Sequence, residues 1–410
     1  MTSKPRYIND PVHGPIELTS TEWALINTKA FQRLRRIKQL GLVDLVFPGA
    51  EHSRFTHSLG TLAMMGTLIR FLPAKPEFRR QLDALTPTLR AAALLHDIGH
   101  FPLSHLFESV YGHWTRTKWN LEDVDRPEPS APSLQEAAHL LSHKPSKDFG
   151  YNHERMSAEV VLHRKEIREI LDRARPRIFT GLVAKLICGD FVREPDGSGI
   201  DSGGSDGSSW RIPEVPIAAA LLMHSSLDAD RLDYLKRDCV ETGMVYGQVD
   251  EAYISRMLQI APAKEDPTQF VIALPLKAIR AADHYMLARF HFYTQIIYHK
   301  TVSAFNIVAG ALLLYLLRNE ELAPYDDYRS VRYLVNTDYF LNFTDHLFWD
   351  KVRSLLGDDS LPGAWARTLY YRLRPETLKL KELFVDRKRS RPTNRLAACV
   401  TKVQDFHSRP

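Results

Sequence analysis

Two histidines and two carboxylates stand along this chain in an order that suits a metal centre: His57, the doublet His96-Asp97, and Asp230. The doublet lies in Leu94-Leu95-His96-Asp97-Ile98-Gly99-His100, inside an apolar helical run. An imidazole and a carboxylate are costly to bury there without a partner. A divalent cation satisfies both at once. The mixed nitrogen and oxygen donors suit Mn²⁺, Fe²⁺, Mg²⁺, Ni²⁺ or Zn²⁺ and do not choose among them. Four protein ligands on a six-coordinate ion leave room for a water and a phosphate oxygen. Such an ion would polarise phosphorus and acidify the water.

Other residues of the right type lie close in sequence. His100 follows His96 by four positions, on the same helix face. His105 is one turn before Glu108, and His153 adjoins Glu154. A histidine beside a carboxylate is what proton transfer at neutral pH requires, although any one histidine is as often structural. Arg54 precedes His57 by three, Arg231 adjoins Asp230, and Arg289 falls in a late helix. Guanidinium groups clamp phosphate oxygens, whereas a solvated surface arginine is the usual role of a single one. Tyr234 and Asp238 continue the stripe that starts at Asp230. A ring there could stack on a sugar and a carboxylate could accept a sugar hydroxyl. The alternative is an ion-paired helix through Lys236 and Arg237, which suits Asp233 better than Asp238.

These side chains must be positioned by helices. Periodicity runs from Trp23 through Ile26, Phe31, Leu34, Ile37 and Leu40, ending at Gly41. Thr19 and Ser20 are the N-cap candidates, helped by Glu22. Further helices are expected over 57–72, 87–98, 103–110, 153–173, 176–188, 215–224 and 228–242, and a long pair over 277–318. Arg6-Tyr7-Ile8 and Ile16-Glu17-Leu18 flank a Pro/Gly turn and predict a β-hairpin. Gln-Phe-Val-Ile-Ala at 269–273 is the best later strand. Residues 115–150 are polar and Pro-containing and read as an insertion. Residues 194–209, rich in Gly and Ser, read as a flexible loop. The expected class is all-α with small β-hairpins. It divides into a core over 1–320 and a helical C-terminal region over 321–410 that ends in a basic tail near Arg387-Lys388-Arg389.

The 410 residues allow a large core or two domains. A formal charge of +5 suits a polyanionic small ligand and is too small to indicate nucleic acid by itself. Cys188, Cys239 and Cys399 are far apart and form neither a disulfide framework nor a zinc spacing, so a reducing cytoplasm is expected. The first residues lack a signal peptide's apolar stretch. The apolar run Ile307 to Leu317 is about half a membrane span and reads as a buried helix, so no membrane partner is expected.

The order H…HD…D is the signature of the HD phosphohydrolase superfamily. Longer blocks resemble its deoxynucleoside triphosphate triphosphohydrolase branch, which includes animal SAMHD-type enzymes and bacterial homologues. They are Ile8 to Gly14, Phe31 to Gly41, Phe47 to Gly60, His96 to His105, Asn152-His153-Glu154 and Asp228 to Asp238, within roughly residues 6–300. The resemblance implies that His57, His96, Asp97 and Asp230 hold one metal. It implies that His105, Glu108 and His153 are catalytic, and that Arg54, Arg231 and Arg289 contact phosphate. Gln39, Tyr234 and Asp238 would sense the deoxyribose. It also implies a homo-oligomer, dimer or tetramer, with a regulatory nucleotide among its ligands. The basic runs Arg33-Leu34-Arg35-Arg36 and His299-Lys300 are the candidates for bridging subunits through that nucleotide. The chain departs from the pattern where Arg231 replaces Lys and Glu108 replaces Asp. Asn27-Thr28-Lys29-Ala30 lacks the acidic residue that some relatives use for guanine, and Pro15 stands where some have His.

The expected activity is metal-dependent hydrolysis of a dNTP to deoxynucleoside and triphosphate. Two alternatives use the same residues. One is an HD-type nuclease or phosphodiesterase acting on single-stranded or cyclic nucleotides. The other is a nucleic-acid-binding protein with a non-catalytic site and a basic tail.

Overall fold

The computed structural model describes residues 5–72, 76–120, 131–142, 152–189, 200–201, 211–212, 220–262, 264, 270–319, 321–322 and 333–373. It is mainly helical, with three two-stranded antiparallel pairs among these residues.

Strands β1 (Arg6–Asp10) and β2 (Gly14–Leu18) form the expected hairpin, with Ile8 opposite Ile16 and Asp10 opposite Gly14. Asp10 closes the turn by accepting the Val12 and His13 amides. Helix α1 (Ser20–Ile26) opens on a capping box between Thr19 and Glu22. The periodicity expected to run to Gly41 is broken. Thr28 caps a new helix, α2 (Lys29–Gln32), and a 3₁₀ turn follows over Arg33–Arg36. The cause is local polar chemistry. The Thr28 hydroxyl donates to Leu25 and accepts from the Phe31 amide, and the Gln32 amide takes the Ile26 carbonyl.

Helix α3 (Arg54–Phe71) is the central strut, and it begins three residues before the expected start at 57. It packs against α4 (Pro76–Leu95) and against α10 (Ala229–Thr242). Helix α4 carries Pro87 inside it and stops at Leu95, so His96 to Gly99 form a turn and not the helix end expected at 98. Helix α5 (His105–Asn120) reaches into the stretch read as an insertion, and α6 (Leu134–Ser142) lies within that stretch. The single helix expected over 153–173 is two, α7 (His153–His163) and α8 (Lys165–Arg173). They break at Arg164, whose guanidinium binds Glu166 and the Val335 carbonyl. Helix α9 (Thr180–Cys188) starts four residues later than expected and ends on Gly189 in the left-handed region, φ 68°.

Most of 194–209 and the first half of the helix expected over 215–224 lie outside the described residues; in its second half Leu221 to Met223 form a turn where a helix was expected. Two short strands, β3 (Ile200–Asp201) and β4 (Arg211–Ile212), pair before that turn. After α10 come α11 (Glu251–Met257) and the hairpin β5 (Gln259–Pro262) with β6 (Phe270–Ala273), the strand expected at 269–273. The long pair is α12 (Ile279–Phe292) and α13 (Lys300–Arg318), joined through a π-helical turn over Tyr293–Ile297. Helices α14 (Asp338–Asn342), α15 (Asp345–Ser354) and α16 (Leu361–Tyr370) follow, and the basic tail lies outside the described residues.

Helix α13 is the second strut. Leu312, Leu313, Leu316 and Leu317 are buried, each such side chain stabilising by about 1.5–3 kcal/mol. It packs on α5, α6 and α16. Among the described residues it alone is long and apolar enough to cross a membrane, and most of it is buried within the fold.

The run Arg33 to Arg36 is used within the chain. Arg33 is buried and donates to the carbonyls of Ile98, His100 and Phe343. Arg36 donates to Leu341, and the Arg35 guanidinium lies 3.6 Å from the Phe55 ring centroid. These bonds leave less of the run for bridging subunits than its sequence suggests.

Candidate active site

Helix α3, the turn after α4 and the first turn of α10 bring the four proposed ligands together. His57 Nε2 lies 3.2 Å from His96 Nε2, 3.0 Å from Asp230 Oδ1 and 3.8 Å from Asp97 Oδ2. His96 Nε2 is 3.5 Å from Asp97 Oδ1 and 3.8 Å from Asp230 Oδ1. The other nitrogen of each ring is already engaged. His57 Nδ1 donates to Asp233 Oδ2 at 2.7 Å, and His96 Nδ1 donates to the Ala93 carbonyl at 2.8 Å. Both Nε2 atoms therefore point at one spot lined by carboxylates, where a cation would take the place of the proton on His57. That donor set fits a divalent cation, and a second partner on each ring is how metal-binding histidines are oriented. His57, His96 and Asp97 form a buried group with metal-ligating spacing.

The electrostatics agree. Burial opposes charge on His57, but Asp230 and Asp233 outweigh it and push the ring up to about 10. Burial alone would raise Asp97; the Arg54 guanidinium, 2.7 Å away, and the neighbouring histidines hold it well below the usual carboxylate range. The spot attracts positive charge.

Behind His57 is a shell whose role the sequence only partly announces. Asp233 accepts from His57, from Arg237 at 3.0 Å on both oxygens, and contacts His13 Nε2 at 2.6 Å. Arg237 also grips Asp10 in the hairpin turn at 2.9 and 3.1 Å. The Asp233–Arg237 pair is the one expected from helical spacing; His13 and Asp10, more than 200 residues away in the chain, are not. Gly60 faces this shell, and a Cβ there would sit 1.9 Å from Asp233 Oδ1 and 2.2 Å from Arg237 Nη2. Gly60→Ala is therefore expected to displace Asp233 and weaken metal binding by about 10–100-fold, with a lowered Tm. A metal titration checks this, and unchanged affinity would detach the shell from the metal site.

A second constellation adjoins the first. Glu108 Oε2 receives His105 Nδ1 at 3.0 Å and His153 Nδ1 at 3.1 Å, joining α5 to α7. Burial raises Glu108, but the two histidines overcome it and hold the carboxyl far below its ordinary value. Burial in turn opposes charge on His153, and Glu108 pushes it up to about 9. The His100 ring stacks on His153 at 4.6 Å. His100 Nδ1 accepts the Phe101 amide, which leaves the proton on a buried Nε2 that has no hydrogen-bond partner among the described residues. Burial, Arg54 and His153 keep this ring neutral. Leu103 and Ser104, just before His105, adopt φ of 54° and 55°. Two successive non-glycine residues in that region cost roughly 1–2 kcal/mol each and need outside support.

Arg54 is buried between the two constellations. It donates to Asp97, to Ser104 Oγ at 3.1 Å and to the Gln39 carbonyl at 3.1 Å. Asp238 is paired with His52 at 2.7 Å, a partner that its helix did not advertise. Gln39 Oε1 and His52 Nδ1 are buried and have no hydrogen-bond partner among the described residues. Arg231 is turned back onto Asp228, the α10 N-cap, and onto the Ser225 carbonyl at 2.6 Å. The Arg289 guanidinium lies 5.6 Å from the Tyr293 ring centroid, and the Tyr234 and Tyr293 hydroxyls are 3.5 Å apart. Tyr285, one turn before Arg289, has a buried hydroxyl without a partner among the described residues. The proposed phosphate and sugar residues thus fall in two groups, Arg54 and Gln39 with the His52–Asp238 pair, and Tyr234 with Tyr293 and Arg289, while Arg231 is held by Asp228.

Comparison with known proteins gives the following likenesses. A model of the HD domain matches residues 54–195. The uncharacterized protein YwfO of Bacillus subtilis is 29% identical over 76% of this chain and 56% of its own length. The deoxynucleoside triphosphate triphosphohydrolase SAMHD1 of Danio rerio is 32% identical over 59% of this chain and 35% of its own length. The chain thus matches about half, or less, of the length of these relatives. A crystal structure of a phosphohydrolase from Bacteroides thetaiotaomicron superposes with a TM-score of 0.60 at 23% identity, over 90% of this chain and 77% of that one.

Proposed function

We infer, from the HD-domain match over residues 54–195 and the likeness to a SAMHD1-type deoxynucleoside triphosphate triphosphohydrolase, that the chain is an HD-domain phosphohydrolase, and from this premise that it hydrolyses dNTPs to deoxynucleoside and inorganic triphosphate. The observation that carries the reading is the Glu108 carboxylate held between His105 and His153, beside the His57, His96, Asp97 and Asp230 cluster. A metal cluster alone serves many hydrolyses. A proton-holding pair next to it suits expulsion of a poor alkoxide leaving group.

A divalent ion held by the four ligands would supply Lewis-acid activation of the phosphoryl group and of water. The protein supplies the rest. Arg54, held on three sides, offers fixed positive charge to the α-phosphate, where negative charge grows as water attacks phosphorus. Arg231 and Arg289 take the outer phosphates, which requires Arg231 to leave Asp228. Water forms the new bond to phosphorus, the bond to the 5′-oxygen breaks, and His105 or His153 protonates that oxygen. Glu108 keeps both rings oriented and His153 charged. Tyr234 underlies the sugar. Gln39 and the His52–Asp238 pair face the ribose, where a 2′-hydroxyl would find no room.

Mass analysis of products from each dNTP and NTP, with Mn²⁺ or Mg²⁺, tests the reading. Intact triphosphate from dNTPs, with NTPs turned over poorly, is expected. Release of orthophosphate or pyrophosphate, or equal rates on both sugars, would refute it. Activity confined to oligonucleotides or cyclic nucleotides would select the phosphodiesterase alternative.

A further inference from the structure

The strained turn at Leu103–Ser104 is supported from the far end of the chain. Asp345, the first residue of α15, is buried, and its carboxylate reaches two backbones at once. Oδ1 accepts the Leu103 amide at 2.7 Å, and Oδ2 accepts the Lys38 amide at 2.9 Å. The Lys38 carbonyl accepts the Ser104 hydroxyl at 2.7 Å, closing a ring of bonds through residues 38, 103, 104 and 345. Both walls of that ring bear on the site. Residue 39 offers its carbonyl to Arg54, Ser104 offers its hydroxyl to Arg54, and His105 follows directly as the first residue of α5. The same segment is tied down from its other side, because Arg33 bonds the Phe343 carbonyl together with those of Ile98 and His100. Gly41 completes the support. At φ 59° it lies against the turn, and a Cβ there would meet the Leu103 carbonyl oxygen at 3.0 Å.

We propose that Asp345 is a positioning residue of the active site: its carboxylate holds the Leu103–Ser104 turn in the geometry that sets His105 and Glu108 against the metal-ligand cluster, while Arg54 stays held by Asp97 and the Gln39 carbonyl. Asp345 touches none of the proposed ligands. It acts through the start of α5, which carries His105 and, one turn on, Glu108, and hence also orients His153. Without the acceptor at Leu103 the two left-handed residues relax toward ordinary φ, and α5 begins in a different phase. A small displacement of the acid is enough to cost about 100-fold in rate. The region after residue 320, which carries no chemical motif of its own, thereby takes part in the chemistry.

The kinetic test rests on the triphosphohydrolase reading above, so it is paired with a measurement that does not. The full chain is loaded with Mn²⁺ and compared as wild type, Asp345→Asn and Leu369→Ala. Asp345→Asn keeps the side-chain shape and one acceptor but turns an NH₂ toward one amide. Leu369→Ala removes a buried side chain of α16, a helix that packs on α13 and α15, and leaves every hydrogen bond of the turn in place. Triphosphate release from dNTPs needs the leaving oxygen protonated, whereas p-nitrophenol release from bis(p-nitrophenyl) phosphate does not. Asp345→Asn is expected to lose roughly 30–100-fold on dNTPs and no more than about threefold on the aryl ester, with metal content unchanged. Equal losses on both substrates would mean general structural damage and overturn the proposal, as would undiminished dNTP turnover. Deuterium exchange of residues 101–106 is read on the same samples. Faster exchange in Asp345→Asn but not in Leu369→Ala supports the anchoring; unchanged exchange overturns it. A wild type that releases no triphosphate sinks the substrate reading alone, and the exchange result still decides the role of Asp345.

Discussion

Asp230→Ala is expected to empty the metal site and to lower turnover by roughly 10³–10⁵, the equivalent of the several kcal/mol that a Lewis acid gives a phosphoryl transition state. Asp230 is the cleanest ligand to remove. Its side chain is about one-third exposed, at 34%, and the buried His57 that loses it keeps the Asp233 carboxylate 2.7 Å away. Asp97→Ala is expected to be as inactive and also less stable. It strands the Arg54 guanidinium, which is buried and 2.7 Å from the lost carboxylate. Breaking a buried ion pair from one side costs about 3–5 kcal/mol. Elemental analysis of dialysed protein alongside turnover separates the two effects. Stoichiometric metal in Asp230→Ala would take Asp230 out of the ligand set.

The second large effect concerns Glu108 and His153. His153→Ala is expected to lose about 10²–10⁴ in kcat while keeping its metal, the range for one general acid. Glu108→Gln gives a more specific result through pH. In the wild type Glu108 pushes His153 up to about 9, so the ring stays charged at neutral pH and loses its proton as pH rises through 9. Activity that needs the charged ring is therefore present below that pH and falls above it. Removing the carboxylate leaves burial to act on His153, and its pKa drops at least toward the ordinary value of about 6.5. The alkaline limb of kcat should move acidward by the same amount. A limb that stays in place in Glu108→Gln would exclude His153 as the acid. Loss of metal in His153→Ala would instead make it a ligand.

The parts of the site legible in the sequence are those with a local signature. His96 and Asp97 are adjacent, His57 and Arg54 share a helix turn, and Asp230, Tyr234 and Asp238 share a stripe of α10. Such residues meet because a short stretch of helix or turn brings them together, whatever the rest of the chain does. The supporting contacts are different. Asp10 with Arg237, His52 with Asp238, and Asp345 with Leu103 join segments about 190 to 240 residues apart. Nothing in the composition around Asp345 distinguishes it from its neighbours at 338, 350, 358 and 359. Asp233 was readable because Arg237 follows it by four, but the same spacing could not show that it would orient His57. The helix limits failed for a similar reason. Apolar spacing continues through Phe31, Leu34 and Ile37, and yet Thr28 and Gln32 turn the backbone away from one continuous helix. The left-handed pair at Leu103 and Ser104 has no glycine to announce it.

The clamp at residues 343–345 also bears on the order in which the protein is made. Arg33, Leu103 and Lys38 leave the ribosome long before Phe343 and Asp345, the partners that fix them. At about 5–20 residues per second, the interval between His57 and Asp345 is roughly 15–60 s. Throughout that time all four metal-ligand candidates come to be present on the nascent chain, while the turn before His105 still lacks its acceptor. A growing polypeptide can thus gather its metal without gaining its chemistry, and a chain released early, before residue 345, is expected to remain inert toward the cell's nucleotides.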